Sequence, residues 1–307
     1  MPLRPLGLWE IYDGAFRAVR SNPTVMFGVS AVIVALAVVV QTVAQALTLD
    51  PLLVGLENPD LSGADVDVTT AVSTVLAYLG TLVASSLAIT VLSGLLVLSV
   101  SRSVIGRRLS IGEFWALAGG RVWRLLALTL LLLLVSTLVL GAWAGALAWT
   151  VMAQAWAALL AVVFLGGLAV LVFTLWFTTR TLLATPALVL EDLSILGGLK
   201  RGWGLSRGGF WRLLGIWLLT QVVVGIVTQI VTLPFALLAG VLAGLGTGTS
   251  SSATLLLTAV AVLIAQCLTV PFVAGVTGLL YIDTRIRREG LDVELARAAE
   301  AVAAEDR

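Results

Sequence analysis

The chain has no histidine, one cysteine and one lysine in 307 residues. Without histidine it lacks the commonest general base, the commonest metal ligand and the usual switch near neutral pH. Cys267 stands alone in an apolar run and cannot close an internal disulfide. Charge is scarce too: 11% of residues are Asp, Glu, Lys or Arg, against roughly a quarter in soluble domains. The net charge of +1 excludes the dense basic surface that nucleic acid requires. With Lys200 the single lysine, the basic residues are almost all arginine, the bias of GC-rich bacterial coding. What fills the chain is apolar, 60% of residues. A soluble protein of this length has no means of hiding that much apolar surface, so its solvent must largely be lipid.

The sequence predicts an all-α polytopic membrane protein with six spanning helices, near 25–47, 71–100, 122–142, 154–179, 211–233 and 253–282. Each is long enough to cross a hydrocarbon core at 1.5 Å per residue. The uncharged runs 125–179 and 213–282 are too long for buried helices of a soluble protein. Residues 1–290 read as one membrane domain and 291–307 as a charged tail. Ala44-Gln45-Ala46 resembles a cleavage site, but the run before it is too long for a signal core and its flank too structured.

Short amphipathic segments precede the first, third and fifth spans. In the first, Leu8, Ile11, Ala15, Phe16 and Val19 recur at helical spacing, with Glu10, Asp13, Arg17 and Arg20 off the stripe, and Pro23 ends it. In the second, Ser110 and Glu113 form a capping box and Gly119-Gly120 stops the helix. Arg121, Trp123 and Arg124 then anchor the third span. The third segment, LEDLSILGGLKRGWGLSRGGFWRLL at 190–214, is the most developed. Glu191, Asp192 and Ser194 suit a helix N-terminus, and Lys200, Arg201, Arg207 and Arg212 mark the membrane surface beside Trp203 and Trp211. Each reads as a helix lying in the interface plane.

The connections carry further signals. Residues 48–70 hold Asp50, Glu57, Asp60, Asp65 and Asp67 with Pro51, Pro59 and Gly63, and read as a solvated loop. Its acids fall short of the ligand set and fixed glycine of a calcium loop. In the second span Ala77, Gly80, Ala84 and Ala88 form a small face, and Thr81, Ser85, Ser86, Thr90 and Ser93 add hydroxyls, for packing or a polar path. Gly141 and Gly145 make a GxxxG pair, and Trp143, Trp149 and Trp156 an interfacial belt. Pro234 closes the fifth span, and Pro271 should kink the sixth.

Every Lys and Arg falls at the N-terminus, in the 2–3 and 4–5 connections or near the C-terminus. The positive-inside rule then puts both termini and all three surface segments on the cytoplasmic side of the cell (plasma) membrane. LSIGEF at 109–114 echoes LSILGG at 193–198, and VWRLL at 122–126 echoes FWRLL at 210–214. The sequence thus predicts three parallel units of surface helix plus hairpin, about 8–100, 109–180 and 193–282, in approximate threefold array.

The run TPALVLEDLSILGGLKRGWGLSRGGFWRLLGIWLL at 185–219 resembles the membrane domain of the glycerophosphoryl diester phosphodiesterase family and related six-helix bacterial proteins. Pro186, Leu190, Glu191, Lys200, Arg201, Trp203, Phe210, Trp211 and Arg212 carry the likeness, while Gly202 stands where serine is usual. PLGLWEIYDGAFRAVRSNP and LLYIDTRIRREGLDVEL resemble the ends of actinobacterial members. The family name comes from relatives fused to a catalytic barrel, which needs histidines, a carboxylate metal site and about 250 further residues.

The resulting expectation is a non-catalytic module, without cofactor or metal, that binds membrane lipid or a partner protein at the cytoplasmic face. The expected contacts are Arg17, Arg20, Arg121, Arg124, Lys200, Arg201, Arg207, Arg212, Trp203 and Trp211. The alternative is a transporter or exporter of a lipid or small amphipathic molecule, suggested by Pro234, Pro271, the hydroxyl row and Gln41, Gln45, Gln221, Gln229 and Gln266 inside spans. Against it, no charged residue lies mid-membrane.

Overall fold

A computed structural model describes residues 6–57, 68–104, 111–244 and 251–289. The acidic residues Asp60, Asp65 and Asp67, Ser110 of the capping box, the loop 245–250 and the tail lie outside the described residues. The order is α1 (Leu8–Ser21), α2 (Pro23–Glu57), α3 (Val68–Val104), α4 (Ile111–Met152), α5 (Trp156–Ala161), a π-helical segment (Val162–Gly166), α6 (Gly167–Thr181), α7 (Ala184–Leu190), α8 (Ile195–Ser206), α9 (Phe210–Gly244) and α10 (Ser251–Glu289). Six stretches are long and apolar enough to cross a membrane: Pro23–Val43, Val83–Ser101, Gly119–Met152, Trp156–Leu190, Phe210–Leu242 and Ala253–Glu289. This is an all-α, multi-pass membrane protein.

Several helices run through their expected stops. α2 continues through Pro51 to Glu57, α4 through Gly119-Gly120, and α9 through Pro234 to Gly244. A helical glycine costs about 1 kcal/mol, but an amide left unpaired in lipid costs several, and neighbouring groups absorb the proline defect. Continuity therefore wins. Unit two accordingly has no separate surface helix turning into α4. α10 also passes through Pro271 and ends only at Glu289, past the end near residue 282 that the sequence predicts for the sixth span.

Two breaks do occur where surface helices meet spans. α1 ends at Asn22, and Pro23 starts α2 at a position whose amide needs no helical partner. α8 ends before Arg207 and α9 starts at Phe210. The fourth span is interrupted instead by its π-helical segment, which widens the helix where Trp143 presses on Gly166. A Cβ there would lie 2.8 Å from the indole, whose Nε1 donates to the Val162 carbonyl at 3.0 Å.

α10 is the hub, packing against α1, α2, α3 and α9. The core joins Leu92, Leu95, Leu96 and Val100 of α3 to Leu125 and Leu128 of α4, Leu188 of α7, and Leu279, Leu280 and Tyr281 of α10. The second helix of each hairpin touches the first of the next: α3 on α4, α6 on α9, α10 on α2. Close approach uses other glycines than the sequence suggested. Gly80, Gly141 and Gly145 face open space, whereas a Cβ at Gly94 would meet Thr185 at 2.8 Å and one at Gly275 would meet Ala15 at 3.0 Å. On α1, Ile11, Ala15, Ala18 and Val19 are buried but Phe16 points outward.

Candidate functional site

Two features stand out: an ion-pair clasp joining α1, α4, α8, α9 and α10 at one end of the bundle, and a groove between α3, α9 and α10 in the apolar zone. The clasp begins with Asp283, whose side chain is fully buried. Its Oδ1 accepts the Leu6 amide at 2.7 Å, Arg212 donates to Oδ2, and Arg287 Nε reaches both oxygens at 3.1 Å. Arg212 and Arg287 each also donate to the Leu6 carbonyl at 2.9 Å. One carboxylate about two turns before the end of α10 thereby fixes the segment entering α1 and the first turn of α9. Tyr12 of α1 adds a bond to the Ile216 carbonyl at 3.2 Å and stacks on Phe272.

The second knot is Glu191. Arg201 binds it through two guanidinium nitrogens, Nε to Oε2 at 2.9 Å and Nη2 to Oε1 at 3.0 Å, the fork geometry that makes such pairs strong. Tyr281 donates its hydroxyl to Oε1, and Arg285 lies 3.5 Å away. Burial pushes the Glu191 carboxyl up, but the bonds from Arg201 and Tyr281 outweigh it and hold its pKa below the ordinary glutamate value. Arg201 is raised in turn, first through its bond to Glu191. Glu289 bridges Arg201 and Arg285. Asp192, in the left-handed conformation at φ 53°, binds Arg124, with Arg121 at 3.6 Å. The bond from Arg124 holds the Asp192 pKa low. Ser194 caps α8 as expected, accepting the Gly197 amide at 3.2 Å. Glu191 and Asp192 tie helices together instead of capping, because arginines reach them first.

The expected contact residues therefore divide. Arg121, Arg124, Arg201 and Arg212 are engaged by internal carboxylates, and Arg17 by Asp13. Arg20, Lys200 and Arg207 are exposed, without a carboxylate partner among the described residues. Trp211 is exposed, while Trp203 is half-buried under Arg180, which also lies over Phe210. A pocket of about 310 Å³ opens between α8 and α10, lined by Lys200, Arg201, Gly204, Leu205, Arg288 and Glu289. Arg201 and Glu289 neutralise each other there. Lys200 and Arg288 have no carboxylate partner among the described residues, and Arg288 donates to the Gly204 carbonyl at 3.0 Å.

Sequence reading missed Asp283, Tyr281, Arg285 and Arg288 as site residues. The signal was present in YIDTRIRRE, where Asp283 and Arg287 stand one helical turn apart. The groove, about 460 Å³, gathers Ser93, Gln221, Thr228, Gln266 and Thr269 from three helices. It unites two of the five glutamines read from the spans. No group of His, Cys, Asp or Glu among the described residues is placed to hold a metal ion.

Residues 9–289 match the family model described as Domain of unknown function (DUF7847), so the chain belongs to that family. Comparison with curated proteins and with solved structures gives no match.

Proposed function

We propose that the chain is a non-catalytic module of a bacterial plasma membrane, with both termini cytoplasmic, that binds anionic lipid headgroups at its cytoplasmic face. The observation that supports this is the pocket of Lys200 and Arg288, two cations without a carboxylate partner among the described residues. All eighteen Lys and Arg and twelve of the seventeen acids sit in the segments assigned to that side, and the remaining five acids fall between the first two spans. Exposed Trp9, Trp123 and Trp211 suit the same headgroup layer. Arg20 and Arg207 extend the basic surface. The likeness of 185–219 to a phosphodiesterase membrane domain is part of this proposal: the module supplies attachment to lipid, and the chemistry belongs to other chains.

Native mass spectrometry of the full chain in mild detergent, with phosphatidylglycerol and phosphatidylcholine offered together, tests the reading. Phosphatidylglycerol should be retained selectively, and Lys200→Gln with Arg288→Gln should abolish the selectivity. Equal retention of both lipids, or no response to the double variant, refutes it; a co-purifying cytoplasmic protein lost in that variant would favour the partner-protein version. The second reading, a transporter or exporter of an amphipathic molecule, is favoured by the groove that brings Gln221 and Gln266 together. Movement of a fluorescent lipid across reconstituted vesicles, lost on Gln266→Leu, would promote it.

A further inference from the structure

Gln266 lies near the middle of α10, and its side-chain oxygen is buried with no hydrogen-bond partner among the described residues. An unsatisfied amide oxygen costs about 1–3 kcal/mol inside a protein and more in lipid, where no bulk water reaches it. Sequence and packing offered cheaper choices, since leucine fills the same volume. The groove in front of Gln266 also holds the amide of Gln221 and the hydroxyls of Ser93, Thr228 and Thr269. Two of those hydroxyls already donate within their own helices, Ser93 to the Thr90 carbonyl at 3.0 Å and Thr269 to the Ala265 carbonyl at 2.9 Å. With their protons used, these two hydroxyls can only accept from an occupant, as Gln266 Oε1 does.

We infer that the groove binds one lipid-like molecule with an uncharged hydroxyl head, which donates to Gln266. Three observations select this class. No charged side chain lines the groove, and an ionised head without a counter-charge would be very costly there. A primary amide offers both an acceptor and donors, and a hydroxyl likewise donates and accepts. The remaining walls are Ile89, Val224, Val262, Ala265, Val270 and Val273, apolar surface that suits the methylenes next to the head. The cavity, about 460 Å³, falls within the range of small-ligand pockets. Along α10 it lies about 33 Å from Arg288, so it is a different site from the headgroup pocket and stands whether or not that pocket binds lipid.

The test uses the full chain in nanodiscs and three photoreactive probes sharing one long alkyl chain: a primary alcohol, its methyl ether and its phosphate monoester. Cross-linked peptides are mapped by mass spectrometry. The alcohol should label the α9 and α10 peptides around Gln221 and Gln266 at least about tenfold more than the ether, the worth of one hydrogen bond to a buried acceptor. Gln266→Leu should remove that preference while leaving the melting temperature unchanged or raised, since it removes an orphaned polar group. Gln221→Leu, on a separate helix, should weaken labelling independently and guards against a folding defect in the first variant. Equal labelling by alcohol and ether, stronger labelling of the groove by the phosphate, or labelling indifferent to both variants would overturn the inference. Phosphate probe captured only by α8 peptides near Lys200 reports on the headgroup proposal alone, and the groove then stands or falls on the alcohol-to-ether ratio.

Discussion

Replacing Asp283 by asparagine should release the clasp while barely changing its shape. Asparagine keeps one oxygen for the Leu6 amide, 2.7 Å away. Its amino group, however, presents donors to the Arg212 and Arg287 guanidiniums, which are donors themselves. Two charge-assisted interactions are lost, each worth about 1.5–3 kcal/mol when buried. Removing one partner of a buried ion pair typically costs about 3–5 kcal/mol. Arg212 and Arg287 are 33% and 39% exposed, so water recovers part of the loss, and the expected destabilisation is about 2–3 kcal/mol. The assay is reversible unfolding in mixed micelles, with a double-mutant cycle of Asp283→Asn and Arg212→Gln. The double variant should be markedly less destabilised than the two singles added together. Additive effects, or a loss below about 0.5 kcal/mol for Asp283→Asn, the range of ordinary surface substitutions, would refute the clasp as a stabilising element.

The remaining predictions use the same reasoning at other positions. Gly202→Ala should destabilise by about 1–3 kcal/mol, because its Cβ would sit 2.6 Å from the Ala184 backbone nitrogen, whereas Gly204→Ala, with open space around it, should be neutral or slightly stabilising. Thermal unfolding of the pair in one detergent checks both signs. The Glu191 pKa lies below its ordinary value, so its contribution is intact above about pH 4.3 and is lost as pH falls through the folded-state value. Melting temperature measured downward from pH 7 should show an acid-side drop that Glu191→Gln removes. Reporters fused after residue 60 should read as external, and those fused after Arg108 or Arg201 as cytoplasmic; any exchange of sides breaks the proposed topology.

The six spans were legible because lipid imposes a strong rule: long uncharged runs must be helices, with their polar ends at the interface. Helix stops were not. Gly119-Gly120 and Pro234 stop helices in water, where freed amides find solvent, but the same residues are carried inside α4 and α9. The clasp was half legible. Arg201 and Arg212 were singled out as basic residues at the membrane surface, yet their partners Glu191 and Asp283 lie 10 and 71 residues away. Charge counting along a chain does not reveal which opposite charges the fold brings together. Gly202 was noted only as a departure from serine. The contact with Ala184 explains it: α8 lies against the backbone of the residue that starts α7, and a serine Cβ has no room.

The order of helix contacts can be set beside the threefold expectation, which superposing 8–100, 109–180 and 193–282 tests. Each hairpin hands over to the next in the same sense, and each of the two surface helices that break from their spans, α1 and α8, packs on the last helix of the preceding unit, α10 and α6 respectively. Parallel repeats closed into a ring would produce that order, and a superposition in which units two and three differ in helix order or direction would refute them. Equal packing does not follow, because closeness depends on local volume. α10 approaches α1 at Gly275 and α3 at Gly278, where an added Cβ would meet Val97 and Val100 at 3.4 Å. In the second hairpin Gly166 instead takes up Trp143 of its own hairpin. α10 is therefore drawn toward α1, α2 and α3 and joined by the clasp, while α5, α6 and α9 stay largely uncovered by protein. Packing that is tight on one side of α10 and loose on the other leaves space where this hub meets α9, and that is where the groove with Gln221 and Gln266 lies.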